Sequence, residues 1–172
     1  MSATFIDRLF PDVPRPAVWL GLGGLIPFYG CVLAAYVLPH PYNAMGMNLL
    51  KPYGAVILSF LGGVHWGLAL AGFGGPRVTD PMNQPPPTMT LQRLGWSVVP
   101  SIIAWAAFFL TGWQAGFLLL LLAFVGMLYG DLRAVEAGTA PLWYLNLRRN
   151  LTWLVAFALV LALVRPLIPY NY

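Results

Sequence analysis

YGAVILSFLGGVHWGLALAG, residues Tyr53 to Gly72, is apolar over the roughly 20 residues a helix needs to cross a bilayer. The run contains one ionisable residue, His65, and a small residue at every fourth position: Ala55, Ser59, Gly63, Gly67 and Ala71. A four-residue step drifts only about 40° around an α-helix, so these five form one slowly turning stripe. Between membrane helices, small residues let backbones approach closely, so this stripe is expected to be a packing seam. His65 falls on the opposite side, alongside Leu58, Leu61, Leu68 and Gly72. An ionisable group within a span is costly and reads first as a functional site, so something must cover it.

The rest of the chain agrees with a membrane protein. Of its 172 residues 59% are hydrophobic and only 8% charged, with a mean hydropathy of +0.74. Soluble domains carry about 25% charged residues. The net charge of +4 does not point to nucleic acid, because the basic residues lie between apolar runs, where they set topology. Five runs read as spans: 16–38, 52–73, 95–111, 113–130 and 149–164. The Thr111-Gly112-Trp113 turn should make the third and fourth a helical hairpin. The expected fold is therefore all-α: an N-terminal interfacial arm, residues 1–15, followed by a five-helix transmembrane domain, residues 16–172. Of the 9 Lys and Arg residues, Arg8, Arg15, Arg77, Arg93, Arg133, Arg148 and Arg149 fall on one side, and Lys51 and Arg165 on the other. The positive-inside rule then puts the N-terminus in the cytoplasm and the C-terminus outside. The start of the chain does not read as a cleavable signal, which favours a bacterial inner membrane. In the arm, Phe5, Ile6, Leu9 and Phe10 oppose Asp7 and Arg8, as in a short interfacial helix. Pro85-Pro86-Pro87 reads as a stiff linker.

Candidate sites are few. Tyr29 and Trp66 are apolar-depth neighbours that could join His65 in contacting a ligand or a partner. Asp131, at the end of the fourth span, should form a cytoplasmic ion pair with Arg148, Arg149 or Arg93. The single cysteine, Cys31, and the absence of metal-type spacing imply no metal and no cofactor. No nucleophile–base set, paired intramembrane carboxylates or phosphate loop is present, so no catalytic activity is expected.

Three segments carry a resemblance: LGLGGLIPF (Leu20 to Phe28), YGAVILSFLGGVHWGLAL (Tyr53 to Leu70) and PLWYLNLRRNLT (Pro141 to Thr152). Together they make the chain, from about Pro14 to Val164, similar to the transmembrane protein sixty-nine family. This is a family of unknown function found in bacteria and in eukaryotes with mitochondria. The resemblance implies a small multi-span protein of the bacterial inner membrane or the mitochondrion, and no established activity. With two specialised faces on the second span and no chemical constellation, the expectation is an accessory, assembly or interaction component of a larger membrane complex, such as a respiratory one. Its partners are the bilayer and other membrane proteins. The alternatives are a binder of a lipid or tetrapyrrole beside His65 and, third, a small transporter.

Overall fold

The computed structural model describes residues 8–75 and 90–168, and these are helical throughout, with no strand among them. The proline-rich segment at residues 85–87 and the first part of the arm lie outside the described residues. The helices are α1 (Arg15–Gly23), α2 (Leu25–Val37), α3 (Tyr42–Leu70), α4 (Leu91–Phe109), α5 (Trp113–Glu136) and α6 (Leu142–Val164), closed by a 3-10 turn, Arg165–Leu167. Four helical stretches are long and apolar enough to cross a membrane: Arg15–Val37, α3, α5, and Leu142–Leu167. Where the third span was expected there is a helix, α4, but Gln92, Arg93, Gly95, Ser97 and Pro100 dilute its first half, and it is not among these four.

The first expected span is one helical stretch broken at Gly24. Pro27 has no N–H to give the carbonyl of Gly23, which loosens the helix one turn earlier. The Tyr53 hydroxyl donates to the Gly24 carbonyl at 2.8 Å, tying this break to α3. The second span starts ten residues earlier than its expected bound, at Tyr42. Pro52, read as a boundary, lies inside α3, and Lys51, read as a loop residue, is on the helix with its ammonium donating to the Leu110 carbonyl at 3.1 Å. Thr90 caps α4 by accepting from the Arg93 amide at 3.3 Å. The expected hairpin turn is present, with Gly112 at φ 83°, a backbone state that glycine adopts at little cost. Both α5 and α6 extend beyond their expected bounds, toward Glu136 and back to Leu142.

Phe28, Leu50, Leu58, Phe117, Leu120, Phe124 and Leu159 form the centre of the bundle. Large apolar side chains such as Leu20, Ile26, Phe60, Trp105, Leu122 and Trp153 point outward. In a bilayer that outward face needs no covering, and helix association rests on close packing instead. Of the arm, Phe10 and Val13 are buried against Val18 and Leu147. The Asn150 side-chain amide donates to the Leu9 carbonyl and that of Asn146 to Pro11 at 3.4 Å. The described end of the arm is thus fastened to α6.

The central helix is α3, packed against α2, α4 and α5. Its packing seam differs from the expected one by a single residue. At Gly46 a Cβ would lie 2.5 Å from the Cys31 carbonyl oxygen on α2, and at Gly62 it would run into the Ser97 carbonyl on α4. Gly54, between them, faces Leu120 and Phe28. The seam therefore runs Gly46, Leu50, Gly54, Leu58, Gly62, all buried. Of the expected ladder only Ala55 is buried; Ser59 is half-buried, and Gly63, Gly67 and Ala71 are exposed. Both ladders have a period of four and differ by about 100° in phase. Backbone-to-backbone contact, which only a glycine permits, chooses between them, and small size alone does not.

Candidate functional site

The face of α3 that carries His65 is the covered one. His65 lies near the C-terminal end of α3, Asp131 near that of α5, and Arg148 near the N-terminal end of α6. Each is five or six residues from its helix end, roughly 8 Å inside the bundle at 1.5 Å per residue. The antiparallel order of the helices brings the three to one depth. His65 Nε2 lies 2.7 Å from Asp131 Oδ1, and Arg148 Nε donates to Asp131 Oδ2 at 2.8 Å. Asp131 is 0% exposed, and the side chains of His65 and Arg148 are 9% and 6% exposed. Because a carboxylate can only accept, the His65 contact places a proton on Nε2. An ion pair removed from water in this way loses solvation comparable to what it gains in attraction. Its net effect is to hold three helices in one register.

The sequence separated these residues into two sites. It placed His65 alone near mid-depth and Asp131 at the surface, because spans were ended at the charged residues. The helices continue past them, and mutual neutralisation makes the burial tolerable. Of the three expected arginine partners, Arg148 makes the pair. Arg149, one position on and about 100° around the helix, is exposed. Arg93 donates to the Phe73 carbonyl at 3.0 Å, beyond the end of α3. Tyr29 and Trp66 do not join His65: the Tyr29 hydroxyl donates to the Leu154 carbonyl at 3.0 Å, and Trp66 is exposed.

Tyr144 was not expected at the site. Its ring meets His65 edge-on with centroids 6.5 Å apart. Tyr144, Arg148 and Thr152 recur every fourth residue of α6, and all three are buried. Tyr144 Oη, Arg148 Nη2 and Thr152 Oγ1 have no hydrogen-bond partner among the described residues. The four-residue recurrence of polar residues on an apolar helix was the signal that could have located this face. A buried hydroxyl without a partner costs about 1–3 kcal/mol. Thr152→Val, which keeps the shape and removes the hydroxyl, should therefore leave the protein as stable as the wild type or raise its unfolding midpoint in detergent; a lower midpoint would show that Oγ1 makes a bond that matters.

Beside the triad, between α3, α4 and α5, is a cavity of about 380 Å³. Its wall includes His65, Arg93, Trp96, Tyr129, Arg133 and Thr139. Gly130 lets the Trp96 indole approach α5 closely, since a Cβ there would be 2.5 Å from Trp96 Cζ2. Arg133 stacks over the Tyr129 ring at 5.5 Å and reaches Glu136 at 3.4 Å, both side chains being well exposed. Among the described residues no group of three His, Cys, Asp or Glu side chains is placed to hold a metal ion.

Comparison with known proteins agrees with this architecture. A family described as "Protein of unknown function (DUF3429)" matches residues 13–164. A Xenopus tropicalis protein named transmembrane protein 69 is 36% identical over 160 residues, covering 91% of this chain and 57% of its own length. The Mus musculus protein of the same name is 32% identical over 96 residues, or 56% of this chain and 34% of that protein. The chain thus spans little more than half the length of the first of these relatives and about a third of the second. No solved structure matches it. With a helical membrane bundle on one side and these comparisons on the other, the chain belongs to the DUF3429 family of membrane proteins, and the relatives it matches carry the name transmembrane protein 69.

Proposed function

We propose that this protein is a non-catalytic interaction component of a larger membrane complex, docked to a transmembrane helix of another protein along the outward face of α3. The supporting observation is the position of Gly63 and Gly67. They stand four apart on an apolar helix, the spacing through which membrane helices pair closely. Nothing in the described structure lies within 4 Å of a Cβ built at either. Among the described residues, the helices use the Gly46–Gly62 seam and leave this second one uncovered. The reading includes five membrane crossings in a bacterial inner membrane with a cytoplasmic N-terminus, supported by the arginine-rich side described above.

The test is a photo-crosslinking residue at Phe60, which is exposed on the same flank of α3. In native membranes it should label one defined heterologous protein. Gly63→Leu with Gly67→Leu should abolish that adduct while leaving the unfolding midpoint and elution volume of the isolated protein unchanged. Labelling of lipid alone, or only of a second copy of this chain, would overturn the proposal.

A second reading, a binder of a lipid or tetrapyrrole beside His65, is favoured by the 380 Å³ cavity that His65 helps to line. Tetrapyrrole ligation through His65 Nε2 would first have to release Asp131, so the lipid form of this reading fits the geometry better.

A further inference from the structure

We infer that a second cavity, at the end of the bundle opposite the triad, is a binding site for the phosphate group of a lipid headgroup. The site is separate from the docking face of α3 and from the cavity beside His65, and stands without either. It has a volume of about 450 Å³ and lies where the first turns of α3, the end of α4 and the α4–α5 turn meet. Depth comes first. At 1.5 Å per residue, Lys51 in the cavity wall is about 28 Å along α3 from the helix end at Leu70. A hydrocarbon core is roughly 30 Å thick, so the lysine stands at the headgroup boundary of the leaflet opposite the triad. Trp113, in the same wall, is the aromatic type that marks this level.

Charge comes second. The Lys51 ammonium donates to the Leu110 carbonyl at 3.1 Å, a neutral acceptor that takes one of its three N–H bonds. The ion pairs among the described residues join His65 and Arg148 to Asp131 and Arg133 to Glu136, all at the other end of the bundle. No described carboxylate matches the charge of Lys51. Geometry comes third. A Cβ at Gly116 would lie 2.8 Å from Lys51 Cε and 3.2 Å from Nζ, so the absence of a side chain there lets the amine rest against α5 beside the cavity. Asn48 Oδ1 accepts from Trp113 Nε1 at 3.0 Å. An indole only donates, which fixes the amide and leaves the two Nδ2 hydrogens of Asn48 for another acceptor. Gln114 adds a second amide to the wall, while Pro52 and Phe108 make part of it apolar. An ammonium and side-chain amides suit phosphate oxygens, with the contact to the ammonium charge-assisted. The apolar part suits the glycerol and first methylenes that follow the phosphate in a lipid.

The experiment uses the full chain in mild detergent. Its unfolding midpoint is followed on adding phosphatidylglycerol, phosphatidylcholine or glycerol phosphate, with native mass spectrometry for retained lipid. Phosphatidylglycerol should raise the midpoint and remain bound at about tenfold lower concentration than phosphatidylcholine, whose own cation competes for its phosphate; tenfold is the ratio expected for one charge-assisted contact. Lys51→Gln, which keeps a donor for the Leu110 carbonyl and removes the charge, should bring the ratio to about one, and Lys51→Arg should keep most of it. Gly116→Ala retains the charge but displaces the flexible end of Lys51, and should also lower the ratio. It decides the matter if Lys51→Gln does not fold, as its midpoint without lipid will show. Arg149→Gln, at an exposed arginine outside the cavity, should change nothing. Equal retention of the two lipids by the wild type would overturn the site, as would a preference that survives Gly116→Ala undiminished. A loss with Arg149→Gln as large as with Lys51→Gln would overturn it in favour of general surface attraction. A shift with glycerol phosphate equal to that with phosphatidylglycerol would uphold the phosphate site and overturn the lipid as its source.

Discussion

Asp131→Ala should lower stability by about 3–5 kcal/mol, the penalty for removing one member of a buried, hydrogen-bonded ion pair. The substitution strands Arg148, whose side chain is 6% exposed and whose Nη2 already lacks a partner among the described residues. It also removes the acceptor of His65 Nε2. His65→Leu should cost less, about 1–3 kcal/mol, because Asp131 keeps Arg148. The combination Asp131→Leu with Arg148→Met should recover much of the loss, since an apolar pair of similar volume can replace a buried ion pair with little change in stability. Unfolding in mixed micelles, read by tryptophan fluorescence, orders the four proteins. If Asp131→Ala unfolds at the wild-type midpoint, the triad does not hold the bundle together.

Gly62→Ala and Gly63→Ala, neighbours in the chain, should behave oppositely. A methyl group at Gly62 collides with the Ser97 carbonyl and sits 3.4 Å from the Pro100 ring. The obstacle is backbone, so α3 and α4 must separate. Overpacking of this kind costs about 1–3 kcal/mol, and Gly62→Leu should prevent a monodisperse protein from being isolated. At Gly63 the same methyl meets nothing within 4 Å, and the change should fall within about 0.5 kcal/mol. Gel filtration and unfolding midpoints of the two alanine variants decide it. The reverse order would return the internal seam to the ladder of Ala55, Ser59, Gly63, Gly67 and Ala71.

Helix identity was legible from the sequence wherever apolar length and a turn signal coincided, as at the Gly112 hairpin. Two kinds of information were not. The first was where helices end when charges are internal. Ending spans at Asp131 and Arg149 assumed each charge faces water, yet a charge opposite its partner can lie a turn and a half inside. Nothing local to residue 131 says that residues 65 and 148 lie at its depth. The second was phase. Gly62 and Gly63 are the same residue type in nearly the same context, and only the position of the Ser97 carbonyl distinguishes them. The importance of His65 was visible in its chemistry; its partner depended on the antiparallel stacking of three helices. The cavity needed tertiary placement as well, because its wall draws residues from α3, α4 and α5 together.

The division of the triad among the helices also orders the steps by which the chain enters a membrane. Asp131 and Arg148 lie on α5 and α6, which are joined by a short turn at residues 137–141. They can insert as one hairpin whose two charges cancel before either is exposed to lipid. His65 precedes them in the chain and, with synthesis running from the N-terminus, reaches the bilayer first. It enters as a single imidazole on an otherwise apolar helix and waits for its carboxylate. Until the hairpin arrives, α3 has its contacts with α2 and α4, including the Tyr53 hydroxyl on the Gly24 carbonyl, but no partner for His65, so assembly finishes with the closing of a lock whose first half was laid down some sixty residues earlier.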